Sequence, residues 1–78
     1  MSVTDKIKAL LALKGKKNIE LANYFEISAQ SMQNKLNRGS FSAEDLIKIS
    51  DFLGCELSFT INESQKITLT TDDIRSSK

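Results

Sequence analysis

Gln30, Gln33, Asn34 and Asn37 carry the most readable chemistry in this 78-residue chain. They lie in the stretch Asn18 to Gly39, NIELANYFEISAQSMQNKLNRG. Turning about 100° per residue places Ala29, Met32 and Leu36 on one side of a helix as a buried stripe, with Gln30, Asn34 and Asn37 opposite. Gln33 and Lys35 fall on the flanks, with Arg38 close by. No carboxylate interrupts this outward face, although solvated helices usually mix Glu with Lys. One planar amide offers both a donor and an acceptor, which is what meeting a base edge in a DNA major groove requires. Gln and Asn suit a bidentate contact with adenine, and the Ala29 methyl suits a thymine methyl. The candidate base-contacting residues are therefore Ser28, Ala29, Gln30, Ser31, Gln33, Asn34 and Asn37. Candidates for holding phosphates and setting register are Lys16, Lys17, Asn18, Lys35, Arg38 and Ser40.

The elements that must position these side chains are legible from caps and periodicity. Ser2 or Thr4 can cap a first helix running to about Lys14, with Ile7, Leu10 and Leu11 as its buried stripe. Gly15 breaks it. The cluster Lys14, Lys16, Lys17 then precedes a second helix, whose free N–H groups and dipole favour an anion; a merely solvated turn is the plainer reading of those lysines. Asn18 is a good N-cap for that helix, Ile19 to Glu26, with Leu21, Ala22 and Phe25 facing inward. A tight turn at Glu26-Ile27-Ser28 follows, Ser28 caps the third helix, and Gly39 suits a left-handed C-terminal cap. Ser42-Ala43-Glu44-Asp45 fits a capping box opening a fourth helix to Leu53. Leu46, Ile49 and Leu53 form its stripe, Ile47 and Phe52 widen it, and Gly54 ends it. Phe41, between these helices, is read as sealing the edge of the bundle.

The segment ELANYFEIS, followed by a polar helix and NRG, resembles the helix-turn-helix of phage-repressor-like regulators, the Cro/repressor or xenobiotic-response-element family. Leu21, Ala22, Phe25, Ile27, Ser28, Met32 and Leu36 carry the likeness. It implies a cytoplasmic, nucleoid-associated, sequence-specific double-stranded DNA-binding regulator of bacterial or phage origin, a repressor, reading the major groove with helix 29–38. In this family the loop around Phe41 also runs along the DNA backbone. Two positions depart from the pattern. Glu26 stands where glycine is usual, so the turn either keeps a strained left-handed residue or changes shape. Lys35 occupies a place that is often apolar, and Leu36 beside it takes the core role.

After Gly54 the hydrophobic period changes to two. Leu57, Phe59 and Ile61, then Ile67 and Leu69, alternate with polar residues across a four-residue turn at Asn62 to Gln65. Many members of the family have a fifth helix here; a hairpin is similar instead to Cro-type members that pair through a C-terminal strand. A two-stranded hairpin is marginal alone in water, so its apolar face must be covered by the helices or by a second chain. Leu57, Phe59, Ile61, Ile67 and Leu69 are thus candidate dimerisation residues, and a homodimer would present two recognition helices to half-sites roughly 34–36 Å apart. The expected fold is mainly α with a small β element. It comprises a four-helix bundle at 1–54, a hairpin at 55–70 belonging to the same domain, and a flexible tail at 71–78.

Composition narrows the function classes. The net charge is only +1, but up to Gly39 seven basic residues face three acidic ones, whereas from Ser40 on four face seven. The first half suits an anionic partner. There is no histidine and one cysteine, Cys55, so neither a disulfide within the chain nor the usual kind of zinc site is expected. Cys55 reads as a small core residue. No apolar run approaches the length of a membrane span, and no cofactor, metal or small-molecule ligand is evident. Without a glycine-rich phosphate loop or a nucleophile–base pattern, catalysis is not expected. The alternative from another class is a protein-interaction adaptor, or the antitoxin half of a protein pair, that retains the helix-turn-helix.

Overall fold

The structure, a computed structural model, describes residues 2–75. In order it has α1 (Val3–Leu13), α2 (Asn18–Phe25), α3 (Ala29–Arg38), α4 (Ala43–Leu53), β1 (Leu57–Asn62), β2 (Gln65–Leu69) and α5 (Thr71–Arg75). Four helices followed by a two-stranded antiparallel hairpin match the expected class. The backbone divides into two compact units, Met1–Phe41 and Ser42–Lys78, the second holding α4, the hairpin and α5.

In the first unit, Ile7 and Leu11 of α1, Leu21 and Ala22 of α2, and Met32 and Leu36 of α3 are buried. α1 begins at a full capping box: the Ser2 hydroxyl accepts from the Asp5 N–H and the Asp5 carboxylate from the Ser2 N–H. Leu10, expected in the buried stripe, is 36 % exposed. Periodicity fixes the phase of a stripe, not how far neighbouring elements reach over its edge. Asn18 is not the cap of α2 but its first residue. Lys17 takes the cap position because the Glu20 carboxylate, three residues on, accepts from the Lys17 N–H at 2.8 Å.

The turn between α2 and α3 keeps the left-handed geometry at Glu26, with φ +59°. The Ile27 N–H donates to the Ala22 carbonyl at 3.1 Å, closing the helix end. A side chain with a Cβ is strained there, so Glu26→Gly should raise stability by about 1 kcal/mol. Urea unfolding of the two chains measures it; an unchanged or lower midpoint would show that this turn carries no such strain.

In the second unit, Ser42 and Asp45 form the expected capping box and Gly54 the left-handed end of α4. Ile47, Ile49 and Leu53 are buried, while Leu46 is half-buried, so the stripe is rotated slightly towards Ile47. Buried Ser50 donates its hydroxyl to the Ile47 carbonyl at 2.7 Å. The hairpin pairs Leu57 with Leu69 and Phe59 with Ile67, as the alternation requires, with an irregularity between Thr60 and Asn62. Its turn spans the four residues expected, Asn62 to Gln65. Asn62 and Gln65 are already paired, leaving Glu63 and Ser64 at the tip, where the Asn62 side chain accepts from the Ser64 N–H at 2.9 Å. Just before β1, Glu56 accepts from the Thr68 hydroxyl at 2.7 Å and from the Lys66 ammonium at 3.0 Å, both on β2. Those two bonds, Thr68 first, lower the pKa of its carboxyl from the ordinary value. Cys55, expected in the core, is half-buried at the junction of α4 and β1 and lines a shallow cleft with Ser50, Thr68 and Leu69.

Residues 71–78 were expected as a tail, but Thr71–Arg75 form one helical turn, α5. The Thr70 N–H donates to the Asp73 carboxylate at 2.7 Å and the Thr70 hydroxyl accepts from the Asp72 N–H at 3.3 Å. Residues 76–78 of the expected tail lie outside the described residues. α4 packs against both β1 and α5.

Candidate nucleic-acid interface

α3 is built to stay in place while its outer face stays open. The Ser28 hydroxyl oxygen accepts from the Ser31 N–H at 3.0 Å, starting the helix where the sequence indicated. At the other end Gly39, φ +63°, takes the left-handed cap, its N–H donating to the Lys35 carbonyl at 2.9 Å. α2 packs against α3, and Met32 and Leu36 are the two large side chains that α3 buries. A tie the sequence does not announce comes from α1: the Thr4 hydroxyl donates to the Leu36 carbonyl at 2.8 Å. It is the left-handed backbone that asks for glycine here, since a Cβ at residue 39 would only come into ordinary contact, 3.4 Å, with that hydroxyl.

Gln30, Ser31, Asn34, Asn37 and Arg38 are exposed, and Gln33 and Lys35 are half-buried at the flanks of the stripe. Ala29 does not belong to the stripe. It is exposed at the first position of α3, one turn before Met32. The outer amides are coupled four residues apart. Gln30 Nε2 donates to Asn34 Oδ1 at 3.2 Å, and Gln33 Nε2 to Asn37 Oδ1 at 3.0 Å. Ser28 and Ser31 share a hydroxyl–hydroxyl bond of 3.0 Å at the start of the same helix.

The cationic residues border this face in sequence on both sides. Lys16, Lys17 and Asn18 are exposed around the start of α2, and the Lys16 N–H is used by the Leu11 carbonyl at 2.9 Å. The Lys35 ammonium sits 5.9 Å from the Phe41 ring centroid, which is how a cation occupies a place that is usually apolar. Phe41 is half-buried beside it, and Ser40 is exposed with its N–H donating to the Lys35 carbonyl at 3.3 Å.

Residues 3–61 match the model of the bacteriophage CI repressor helix-turn-helix domain, most of the 78-residue chain. The chain belongs to the bacteriophage CI repressor helix-turn-helix family. The match takes in all four long helices and β1 up to Ile61 of this CI-repressor domain, and with it the fold of a DNA-binding regulator. No curated protein and no solved structure matches the chain. Among the described residues of the CI-repressor chain no group of three or more His, Cys, Asp or Glu is placed to hold a metal ion, and no helix is long and apolar enough to cross a membrane.

Proposed function

We propose that this CI-repressor-family chain binds double-stranded DNA sequence-specifically, with α3 in the major groove, and represses transcription from the sites it occupies. The observation that carries the reading is the outer face of α3, where Gln30, Asn34 and Asn37 are exposed amides on a helix whose other side is buried through Met32 and Leu36. In this role Gln30 and Gln33, with Ser28, Ala29 and Ser31 at the helix start, meet base edges, and Asn34 and Asn37, bonded to the two glutamines, lie in the same base-facing surface. Lys16, Lys17, Asn18, Lys35, Arg38 and Ser40 hold the backbone. The exposed place of Ala29 suits it better to a thymine methyl than a core position would.

Duplex binding measured against salt separates this function from that of an adaptor or antitoxin-like protein partner. Each neutralised phosphate contributes about −0.9 to the slope of log affinity against log salt, so the four cationic candidates should give a slope of about −3 to −4 per bound chain. A slope near zero, or no shift of any duplex, would leave the protein-partner reading in its place.

The same chain acts as a homodimer in this proposal, paired through the hairpin. Leu57 and Leu69, at one end of the apolar sheet face, are half-buried, but Phe59, Ile61 and Ile67 are 67 %, 62 % and 58 % exposed. A hairpin showing the cross-strand pair Phe59 and Ile67 on one face, with Ile61 exposed at the irregularity beside them, is stabilised by a second copy of the same surface. Phe59→Lys should convert a dimer at micromolar concentration into a monomer by sedimentation and leave the helical circular dichroism unchanged. A wild-type chain that sediments as a monomer, with and without DNA, would contradict the pairing.

A further inference from the structure

The two amide couplings on α3 do more than join neighbours. A glutamine that gives one Nε2–H to an asparagine oxygen keeps its own Oε1 and its second Nε2–H for the solvent side. One acceptor beside one donor is the complement of adenine, which shows the N6–H donor and the N7 acceptor in the major groove. Each asparagine, with its Oδ1 engaged, keeps chiefly its Nδ2 donors. The two pairs have the same polarity: Gln30 Nε2 to Asn34 Oδ1 at 3.2 Å and Gln33 Nε2 to Asn37 Oδ1 at 3.0 Å. Gln30 and Gln33 are three residues apart, about 4.5 Å along the helix axis, close to the roughly 3.4 Å between successive base pairs.

We infer that Asn34 and Asn37 are positioning residues that hold the Gln30 and Gln33 amides in the orientation matching adenine, so that α3 selects two neighbouring A·T pairs in each half-site. This rests on the proposal that α3 enters the major groove. An exposed glutamine free to rotate would present donor and acceptor in either order and lose affinity in being ordered at the moment of binding. The asparagine four residues on removes part of that loss, and in the polarity found in both pairs the glutamine presents its acceptor and its second donor in one order. The specificity of the helix thus depends on residues that need touch no base.

The test uses the full chain and a duplex enriched by it from a random pool, compared with every single base-pair replacement in that duplex. Wild type, Gln30→Ala, Asn34→Ala, the double variant and Asn34→Gln are titrated on each. Asn34→Ala should flatten the preference at the same base pair as Gln30→Ala, by roughly two- to tenfold. The double variant should lose no more than Gln30→Ala alone, and Asn34→Gln, which restores an amide oxygen, should recover the preference. Asn34 is exposed, so the unfolding midpoint serves to show that these changes do not come from misfolding. Independent losses at two different base pairs, adding in the double variant, would overturn the positioning role while leaving major-groove binding intact. If no duplex is enriched, or Gln30→Ala weakens enriched and random DNA equally, the groove-binding proposal falls and this inference with it.

Discussion

Replacing Leu36 with alanine is expected to lower the stability of the chain by about 2–5 kcal/mol, the range for emptying a buried leucine site. Leu36 is 1 % exposed and, with Leu21 and Met32, one of the largest fully buried side chains. Its removal forfeits the transfer free energy of the lost carbons and leaves a cavity that a small core fills only in part. Domains of this size are stable by roughly 5–15 kcal/mol in all, so the change takes a large share. Leu36 also lies in the turn whose carbonyl the Thr4 hydroxyl engages, so the vacancy loosens the last turn of α3 where Asn37 and Arg38 project. Urea unfolding reads the loss directly, and DNA affinity should fall with the folded fraction and return on cooling. A midpoint within the effect of an ordinary surface substitution would show that α3 is not anchored through this side chain.

Gln30→Ala carries the largest expected effect on recognition itself. On a cognate duplex it should cost about 1–3 kcal/mol, and on random duplex of the same length almost nothing, because a base-edge contact contributes only where its base is present. Lys17→Ala should behave in the opposite manner. A phosphate contact is lost alike on every sequence, and the salt slope falls in magnitude by about 1. Filter binding of the two variants to the two duplexes at three salt concentrations separates the roles. Equal losses for Gln30→Ala on both duplexes would remove Gln30 from base reading.

Much of the fold follows from local rules that leave a mark in the sequence. Ser28, Ser42, Gly39 and Gly54 each do what a cap of their type does, and so the limits of α3 and the start and end of α4 fall where they were expected. The pairing of Phe59 with Ile67 follows from a period of two. Asn18 is a good capping residue by type, but the stronger signal is Glu20, three residues beyond Lys17, whose carboxylate makes Lys17 the cap. The same signal, Thr70 with Asp73, was present in the segment read as a tail and opens α5. Leu10 and Ala29 show a different limit: a stripe has a direction from its spacing, but whether its ends are covered depends on elements elsewhere in the chain. At Glu26 the sequence marked a choice between strain and a different turn, and only the backbone shows that the left-handed residue is kept.

At the candidate site, the outward amides were legible from helical stepping alone, and their exposure in α3 agrees with it. The couplings between them could have been read as well, since glutamine and asparagine four residues apart lie within reach on one helix face. The Thr4 tie to Leu36 could not. It joins residues 32 apart, and no spacing rule links a threonine in one helix to a carbonyl in another. The place of Lys35 is intermediate: its departure from an apolar pattern was visible, but the Phe41 ring that accommodates it becomes apparent only when the chain beyond Gly39 turns back.

Selection of bound sequences from a random duplex pool tests the reading of DNA by α3 most directly. Wild-type chain should converge on a near-two-fold site with half-sites roughly 34–36 Å apart, and a Gln30→Ala, Gln33→Ala chain should fail to enrich the same bases. A pool that stays random after repeated selection, or a double variant that recovers the same sequence as wild type, would contradict it.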